Sequence, residues 1–494
     1  MTTTNKGRGH RAAGAMLGMA VGDALGAPYE FGRVRPGVRL AGGSADMTGG
    51  GPWERGEWTD DTAMAMPILR AAADGLDLMG EDAQDRIVSE WRTWSRTAKD
   101  VGNQTREVLR RVKEPTARNA RMCARDVHQE QQRSAGNGSA MRTAPVGLAY
   151  LNQEDGPARV AAAASAIAAL THYEADARDG AALWSVMIHL AVRDGRVSTD
   201  QALAELPVGA REHWAGLLTE AAGADPDSFA HNGWIVHAIQ AAWAALHRGG
   251  LVPSDPSTHT PEAFRHALQH AIDIHNDTDT VAAIAGGLAG ALVGASAVPL
   301  AWTRLLHGWG GVGVPSRAGE LTRLAALAAN GGRPDSRGWM TGDRVDYSGF
   351  GERHVLARHP HDAGVWIGGI GALESLPAEV DAVVSLCQVG AAEVPARIAP
   401  EDSHEVWFID SADRDENPHL EFVLTEAADA VAALRAEGKT VLLHCVQAQS
   451  RTPTVAALYA KRHLGVDGER ALRDVRVALP GARPNAAFSR VLTS

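Results

Sequence analysis

Three cysteines in 494 residues (Cys123, Cys387 and Cys445) are too few to staple a chain of this length. A disulfide framework is excluded, and a reducing, cytoplasmic setting is expected. Aromatic residues are also scarce, at 5% of the chain, while glycine is abundant. Small side chains favour closely packed helices over a β-sandwich. Long apolar runs are missing too. Residues 12–27 follow basic residues and imitate a signal peptide, but Asp23 interrupts them. With no uninterrupted run of about 18 apolar residues, the chain is expected to be soluble, with no membrane partner, and not exported. Runs of Lys and Arg are absent, and the formal net charge is −11. Neutralising phosphates is therefore not the chain's main task, although a local basic pocket stays open.

What is present fits a globular chain with sizeable cores: 45% hydrophobic and 22% charged. The length suggests two or three domains. Up to about residue 330 the pattern predicts helices joined by Gly- and Asp-rich loops. Candidate helices span 12–25, 62–73, 157–169, 181–192, 234–246, 261–274 and 281–293. Breakers cluster at 330–338 and mark a linker. Beyond it, the short apolar runs 365–368, 382–387, 406–409 and 440–444 read as buried strands. They alternate with helical segments at 424–436 and 453–462, which predicts an α/β layer. The expected architecture is multidomain, with an all-α domain over 1–335 and an α/β domain over 345–494.

Glycines recur every four residues at Gly14, Gly18, Gly22 and Gly26, and again at Gly286, Gly290 and Gly294. On helices each set forms a bare stripe that lets another backbone approach closely. Two acidic clusters stand out, Trp58-Thr59-Asp60-Asp61-Thr62 and Asn276-Asp277-Thr278-Asp279-Thr280, the second directly before the later stripe. Either one alone reads as an ordinary helix cap. Brought together, their carboxylates would repel unless a cation neutralised them. Carboxylate and hydroxyl oxygens suit Mg²⁺ or Mn²⁺, not zinc.

The blocks Gly18-x-x-x-Gly22-Asp-Ala-Leu-Gly-x-Pro-x-Glu30, Trp58-Thr-Asp-Asp-Thr62, Gly136-Asn-Gly-Ser-Ala-Met-Arg142 with Pro145, Thr171-His172, and Asp277-Thr-Asp-Thr280 with Pro299-x-x-Trp302 occur in that order. Together they resemble the ADP-ribosylglycohydrolase family. The resemblance implies a compact all-α fold around two divalent cations, Mg²⁺ or Mn²⁺. Thr59, Asp60, Asp61, Asp277, Asp279 and Thr280 would be ligands, with Asp60 also catalytic. Glu30 would lie beside the ribose as ligand, base or positioning group. Asn137, Gly138, Ser139, Met141 and Arg142 would contact the diphosphate, the Gly-Asn-Gly turn offering backbone N–H groups to an anion. Arg142 is equally readable as a structural ion pair. His172 is a pocket-lining candidate. An ADP-ribosylated protein, nucleic acid or small molecule would be the substrate. Two features depart from the family pattern: His275-Asn276 replaces a glycine-like lead into the second cluster, and Pro67 falls early in a ligand-bearing helix. The loops 129–134 and 225–233, which would set acceptor choice, carry no signature.

In the second domain, Val441-Leu-Leu-His-Cys445-Val-Gln-Ala-Gln-Ser450-Arg451 places a Cys-x₅-Arg loop between a strand and a helix. Such a loop aims its N–H groups at one point and lowers a thiol's pKa. With residues 365–368, 381–386 and Arg483-Pro-Asn485, it resembles the dual-specificity branch of the protein tyrosine phosphatases. The resemblance implies Cys445 as nucleophile, Arg451 as phosphoryl clamp, and Ser450 as the aid to thiolate departure. Asp413 is the chosen general acid, with Asp410 and Asp415 as rivals. A phosphorylated substrate, shared with the first domain or separate, would be its partner. Ala448 stands where active relatives carry glycine. Two functions stay open at this point: a bifunctional hydrolase, or an ADP-ribose and phosphate sensor with an inactive phosphatase-like module.

Overall fold

The computed structural model describes residues 3–32, 46–253, 255–311, 313, 315–334 and 342–493. Part of the expected linker at 330–338 lies outside them. The chain divides into two units: residues up to Val298 with Leu305–Arg333, and Pro299–Arg304 with everything from Pro334 onward. The second unit is thus discontinuous. The short helix Leu300–Thr303 contributes Leu300 to its apolar core, and the Ala301 N–H donates to Glu426 Oε2 at 3.1 Å.

The first unit is helical. Its long first helix, Thr3–Gly26, lies against Thr278–Val293, which is buried along its whole length. The glycine stripes explain the pairing. A β-carbon on Gly18 would overlap the Gly286 carbonyl, one on Gly14 the Gly290 carbonyl, and one on Gly22 the Ala282 carbonyl. One rung further, a β-carbon on Gly26 would overlap the Asp279 backbone. The same stripe that closes the core therefore sets how deep Asp279 sits. All seven expected helices are present, among them Asp60–Ala73, Ala175–Asp194 and Ile235–Arg248. Pro67 is accommodated inside Asp60–Ala73, so the helix is not shortened.

The all-α expectation needs one correction. His307–Trp309 pairs antiparallel with Pro315–Arg317. This ribbon anchors Trp58: its N–H donates to His307 O (2.9 Å) and its indole to Trp309 O (3.3 Å), while Gly308 makes room for the ring. The residue before the first acidic cluster is thereby fixed.

The second unit carries a five-stranded sheet in the order Leu356–His359, Asp362–Gly368, Val441–His444, Ala382–Ser385, Ser403–Glu405. The first pair is antiparallel and the rest are parallel. Helices Leu420–Ala436 and Arg451–His463 pack on it. The strand expected at 406–409 falls instead at Ser403–Glu405. Val406 and Phe408 are apolar because they enter the core from irregular backbone, a burial that periodicity alone does not distinguish from a strand. The edge strand Leu356–His359 was not expected; its half-exposed face gives no alternation. Among the described residues, no helix is long and apolar enough to cross a membrane.

Candidate active sites

Both acidic clusters open helices, and capping accounts for only part of each. Thr59 is the N-cap of Asp60–Ala73, its Oγ1 accepting from Asp61 N at 3.4 Å. Asp277 is the N-cap of Thr278–Val293, yet its side chain makes no capping bond. Its Oδ2 accepts from Asn137 Nδ2 at 2.7 Å instead. Asn137 also donates to Asn232 O (2.8 Å), and Asn232 in turn receives Asp277 N (3.2 Å) and donates to His275 O (2.8 Å). Asn276 takes a left-handed φ of 69°, the conformation for which glycine was expected, and its amide bonds Ala230 O.

The clusters converge. Thr280 Oγ1 donates to Asp61 Oδ1 at 3.2 Å. Carboxylate oxygens of Glu30, Asp277 and Asp279 lie within 4.8 Å of one another, as do those of Asp23, Asp61 and Asp279, so Asp279 belongs to both groups. Asp61 Oδ2 and Asp279 Oδ1 are buried without any hydrogen-bond partner. Two orphaned carboxylate oxygens in one acidic cleft are costly unless a cation binds there or the groups take up protons. The hard oxygen donors present fit Mg²⁺ or Mn²⁺. Burial, then Asp23 and Asp60, lifts Asp61 well above the usual carboxylate range; burial, then Asp277 and Asp61, does the same to Asp279. Loss of hydration and nearby Asp100 push half-buried Asp60 up to about 7, although Gly102 N donates to it at 3.2 Å.

The glycine block 136–142 lies beside this cleft. Asn137–Ser139 forms a single 3₁₀ turn, and Ser139 Oγ donates to Gly136 O at 3.0 Å. Gly136 and Gly138 face the His172 ring so closely that a β-carbon on either would press on it. Thr171 Oγ1 receives Arg142 Nη2 (2.5 Å) and is hydrogen-bonded to His172 Nδ1 (2.7 Å). Burial, then Arg142, holds the pKa of His172 well below the ordinary value, keeping it neutral. Met141 sits under Thr280, sulfur to Oγ1 3.9 Å.

Arg142 is a correction. Its side chain has no exposed surface, lies 4.2 Å over the Trp91 ring and bonds Thr171 and the Met64 sulfur. It has no open surface there for a diphosphate, and among the described residues no salt bridge reaches it. Burial lowers its pKa to about 9, with Asp60 opposing.

In the second unit the strand Val441–His444 delivers buried Cys445, and helix Arg451–His463 follows the loop. Ala448 adopts φ 54°, the left-handed region that a β-carbon disfavours. Arg451 Nη1 donates to Leu386 O (2.6 Å) and Phe408 O (3.4 Å). Ser450 Oγ accepts from Asn485 N at 3.4 Å, leaving its own proton available. Asp410 lies 3.9 Å from Arg451 Nε and accepts from Asn485 Nδ2 at 3.3 Å. Asp413 is exposed and spends its carboxylate on Asp415 N in a local turn. Asp410 thus lies beside Arg451, while the chosen Asp413 turns to Asp415. Beneath the loop, His444 bonds Ser385 Oγ at 2.8 Å, burial holding its pKa down to about 4.

A family model described as ADP-ribosylglycohydrolase matches residues 4–337. This chain belongs to the ADP-ribosylglycohydrolase family. It is 30% identical over 307 residues to "ADP-ribosylarginine hydrolase Tri1" of Pseudomonas putida (strain GB-1), covering 59% of this chain and 73% of that protein. To "ADP-ribosyl-[dinitrogen reductase] glycohydrolase" of Rhodospirillum rubrum it is 30% identical over 298 residues, covering 59% and 88%. To human "ADP-ribosylhydrolase ARH3" it is 27% identical over 338 residues, covering 60% and 90%. Among solved structures, human DUSP28 shows a partial likeness: 26% identity, 28% of this chain, 90% of that one, TM-score 0.24.

Two residues of the first site were not singled out from sequence. Asp23 is fully buried and accepts from Thr59 N (2.9 Å), Thr62 N (2.9 Å) and Thr62 Oγ1 (2.6 Å). An acid interrupting the apolar stretch 12–27 was the available signal. Asn232, which orients Asn137 and Asp277, lies in the 225–233 loop and gave none.

Proposed function

We propose that the first unit hydrolyses the ribosyl glycosidic bond of ADP-ribosylated substrates, with two divalent cations, Mg²⁺ or Mn²⁺, as cofactors. Thr59, Asp60, Asp61, Asp277, Asp279 and Thr280 would hold them. The observation that carries this proposal is the pair of orphaned oxygens, Asp61 Oδ2 and Asp279 Oδ1, in a cleft of converging carboxylates. When bound, the cations neutralise the carboxylates and supply Lewis acidity at the ribose hydroxyls. Glu30 stands on the Asp277 side to orient the ribose. Asn137 holds Asp277, and the Asn137–Ser139 turn offers N–H groups to the diphosphate. Neutral His172 lines the same pocket.

The relatives' names include ADP-ribosylarginine and ADP-ribosyl-dinitrogen reductase, so an ADP-ribosylated protein is the proposed substrate. ADP-ribose release is the test, with protein, nucleic-acid and small-molecule adducts in parallel. Metal-stripped protein should be inactive, and Mn²⁺ should restore release to the parent but not to Asp279→Ala. Release that ignores both metal and that substitution would overturn the proposal.

For the second unit we propose a cysteine-dependent phosphatase. The Cys445 thiolate attacks phosphorus, Arg451 binds the phosphoryl oxygens, Asp410 protonates the leaving oxygen, and Ser450 assists hydrolysis of the thiophosphate. Ala448 favours a second reading, a phosphate-binding module without turnover, because its left-handed backbone strains the cradle. Phosphate release abolished by Cys445→Ser supports the first; phosphate binding with no release supports the second.

A further inference from the structure

The first turn of helix Asp60–Ala73 leaves backbone N–H groups that no residue of the helix can satisfy from within. Helices commonly resolve this with a capping box, in which the N-cap side chain takes the N3 N–H and the N3 side chain takes the N-cap N–H. Here the N-cap is Thr59 and N3 is Thr62, and neither plays that part. Thr59 Oγ1 takes Asp61 N, and Thr62 Oγ1 points away to Asp23. Both capping-box donors, Thr59 N and Thr62 N, go to the carboxylate of Asp23 on the first helix.

We propose that Asp23 caps this helix in trans and is the positioning residue for its ligand-bearing turn, a role resting on the metal reading above. The division of labour is visible atom by atom. A carboxylate has about four lone-pair sites. Asp23 has committed three of them to Thr59 N, Thr62 N and Thr62 Oγ1. Asp61 Oδ2 and Asp279 Oδ1, in contrast, have no partner. Because Asp23 does the capping, the first-turn carboxylates Asp60 and Asp61 are released from it and can face a cation. Asp23 also reaches that turn only because the first helix is drawn in along Gly18 and Gly22, where backbone meets backbone.

The test uses the full chain with Asp23→Asn, an isosteric change that turns one acceptor oxygen into an NH₂ facing an N–H donor. In metal-stripped protein, hydrogen exchange should accelerate in peptides spanning residues 58–65 and stay unchanged elsewhere. Calorimetric titration with Mn²⁺ should still reach the parent's stoichiometry, with affinity about 10–100-fold weaker, the usual effect of losing a group that orients a ligand. If Asp23→Asn does not fold, Thr62→Val removes one of the three bonds from the other side and should weaken Mn²⁺ several-fold in the same direction. Unchanged exchange and affinity would overturn the proposal. So would loss of one bound ion, because Asp23 would then be a ligand. If the parent itself binds no Mn²⁺, the metal reading fails, while the exchange measurement still decides the trans cap.

Discussion

Thr280 Oγ1 donates to Asp61 Oδ1 at 3.2 Å, a hydrogen bond between positions 219 residues apart in the chain. It links the two acidic clusters directly. Thr280→Val keeps the shape and β-branching but deletes the hydroxyl, both the donor to Asp61 and an oxygen proposed to hold a cation. Folding should be preserved, since a single hydrogen bond contributes about 1 kcal/mol. Mn²⁺ affinity and ADP-ribose release should fall about 10–100-fold. Calorimetry beside a steady-state assay checks this; unchanged affinity would show that the bond is incidental.

The carboxylates also fix a pH dependence. Burial lifts Asp23 to about 6, and lost hydration with Asp100 lifts Asp60 to about 7, both above the ordinary value of about 3.9. Between about pH 4 and 7 these groups bind more protons folded than unfolded, so their contribution to stability falls as pH rises through that window. In metal-stripped protein, Asp60→Asn should therefore gain Tm over the parent, and the gain should be larger at pH 7.5 than at pH 5. Added Mn²⁺ should reverse the order at pH 7.5. A gain independent of pH would contradict the assignment.

Arg142 separates a structural from a binding role. Its guanidinium lies over Trp91 and holds Thr171, which orients His172. Arg142→Ala should cost roughly 2–4 kcal/mol, through the cavity and the freed Thr171 hydroxyl. Thermal melts check this. A raised KM with an unchanged Tm would instead mean that Arg142 reaches the ligand.

Ala448 at φ 54° carries strain that glycine would not. Ala448→Gly should stabilise the second unit by up to about 1 kcal/mol, the left-handed penalty less glycine's entropy. Phosphate release should rise with it. Denaturant melts and a phosphatase assay, with Cys445→Ser as control, are the measurements; a loss of stability would refute the strain.

Much of this was legible in the sequence, for physical reasons. Four-residue glycine spacing has one dominant explanation, close helix contact, and Gly18 against Gly286 bears it out. Repeated Asp-Thr clusters can be read as convergent because a bound cation would relieve the repulsion of their carboxylates. Asp23 was read only as the residue that breaks an apolar run, since one acid in a helix does not announce which distant N–H groups it serves. Arg142 was readable as an anion contact or as a structural ion pair, because sequence does not reveal that its neighbours Trp91 and Met64 enclose it. Asp413 and Asp410 carry the same chemistry three positions apart; the local turn with Asp415 that occupies Asp413 is a backbone matter.

The central claim is that two distant clusters make one cation centre with Asp279 shared between them. Equilibrium titration of metal-stripped protein with Mn²⁺, counted per chain, tests it most directly. Two ions per parent chain are expected, and Asp279→Ala should lose high-affinity binding of both. No binding by the parent, or binding that Asp279→Ala leaves intact, would contradict it.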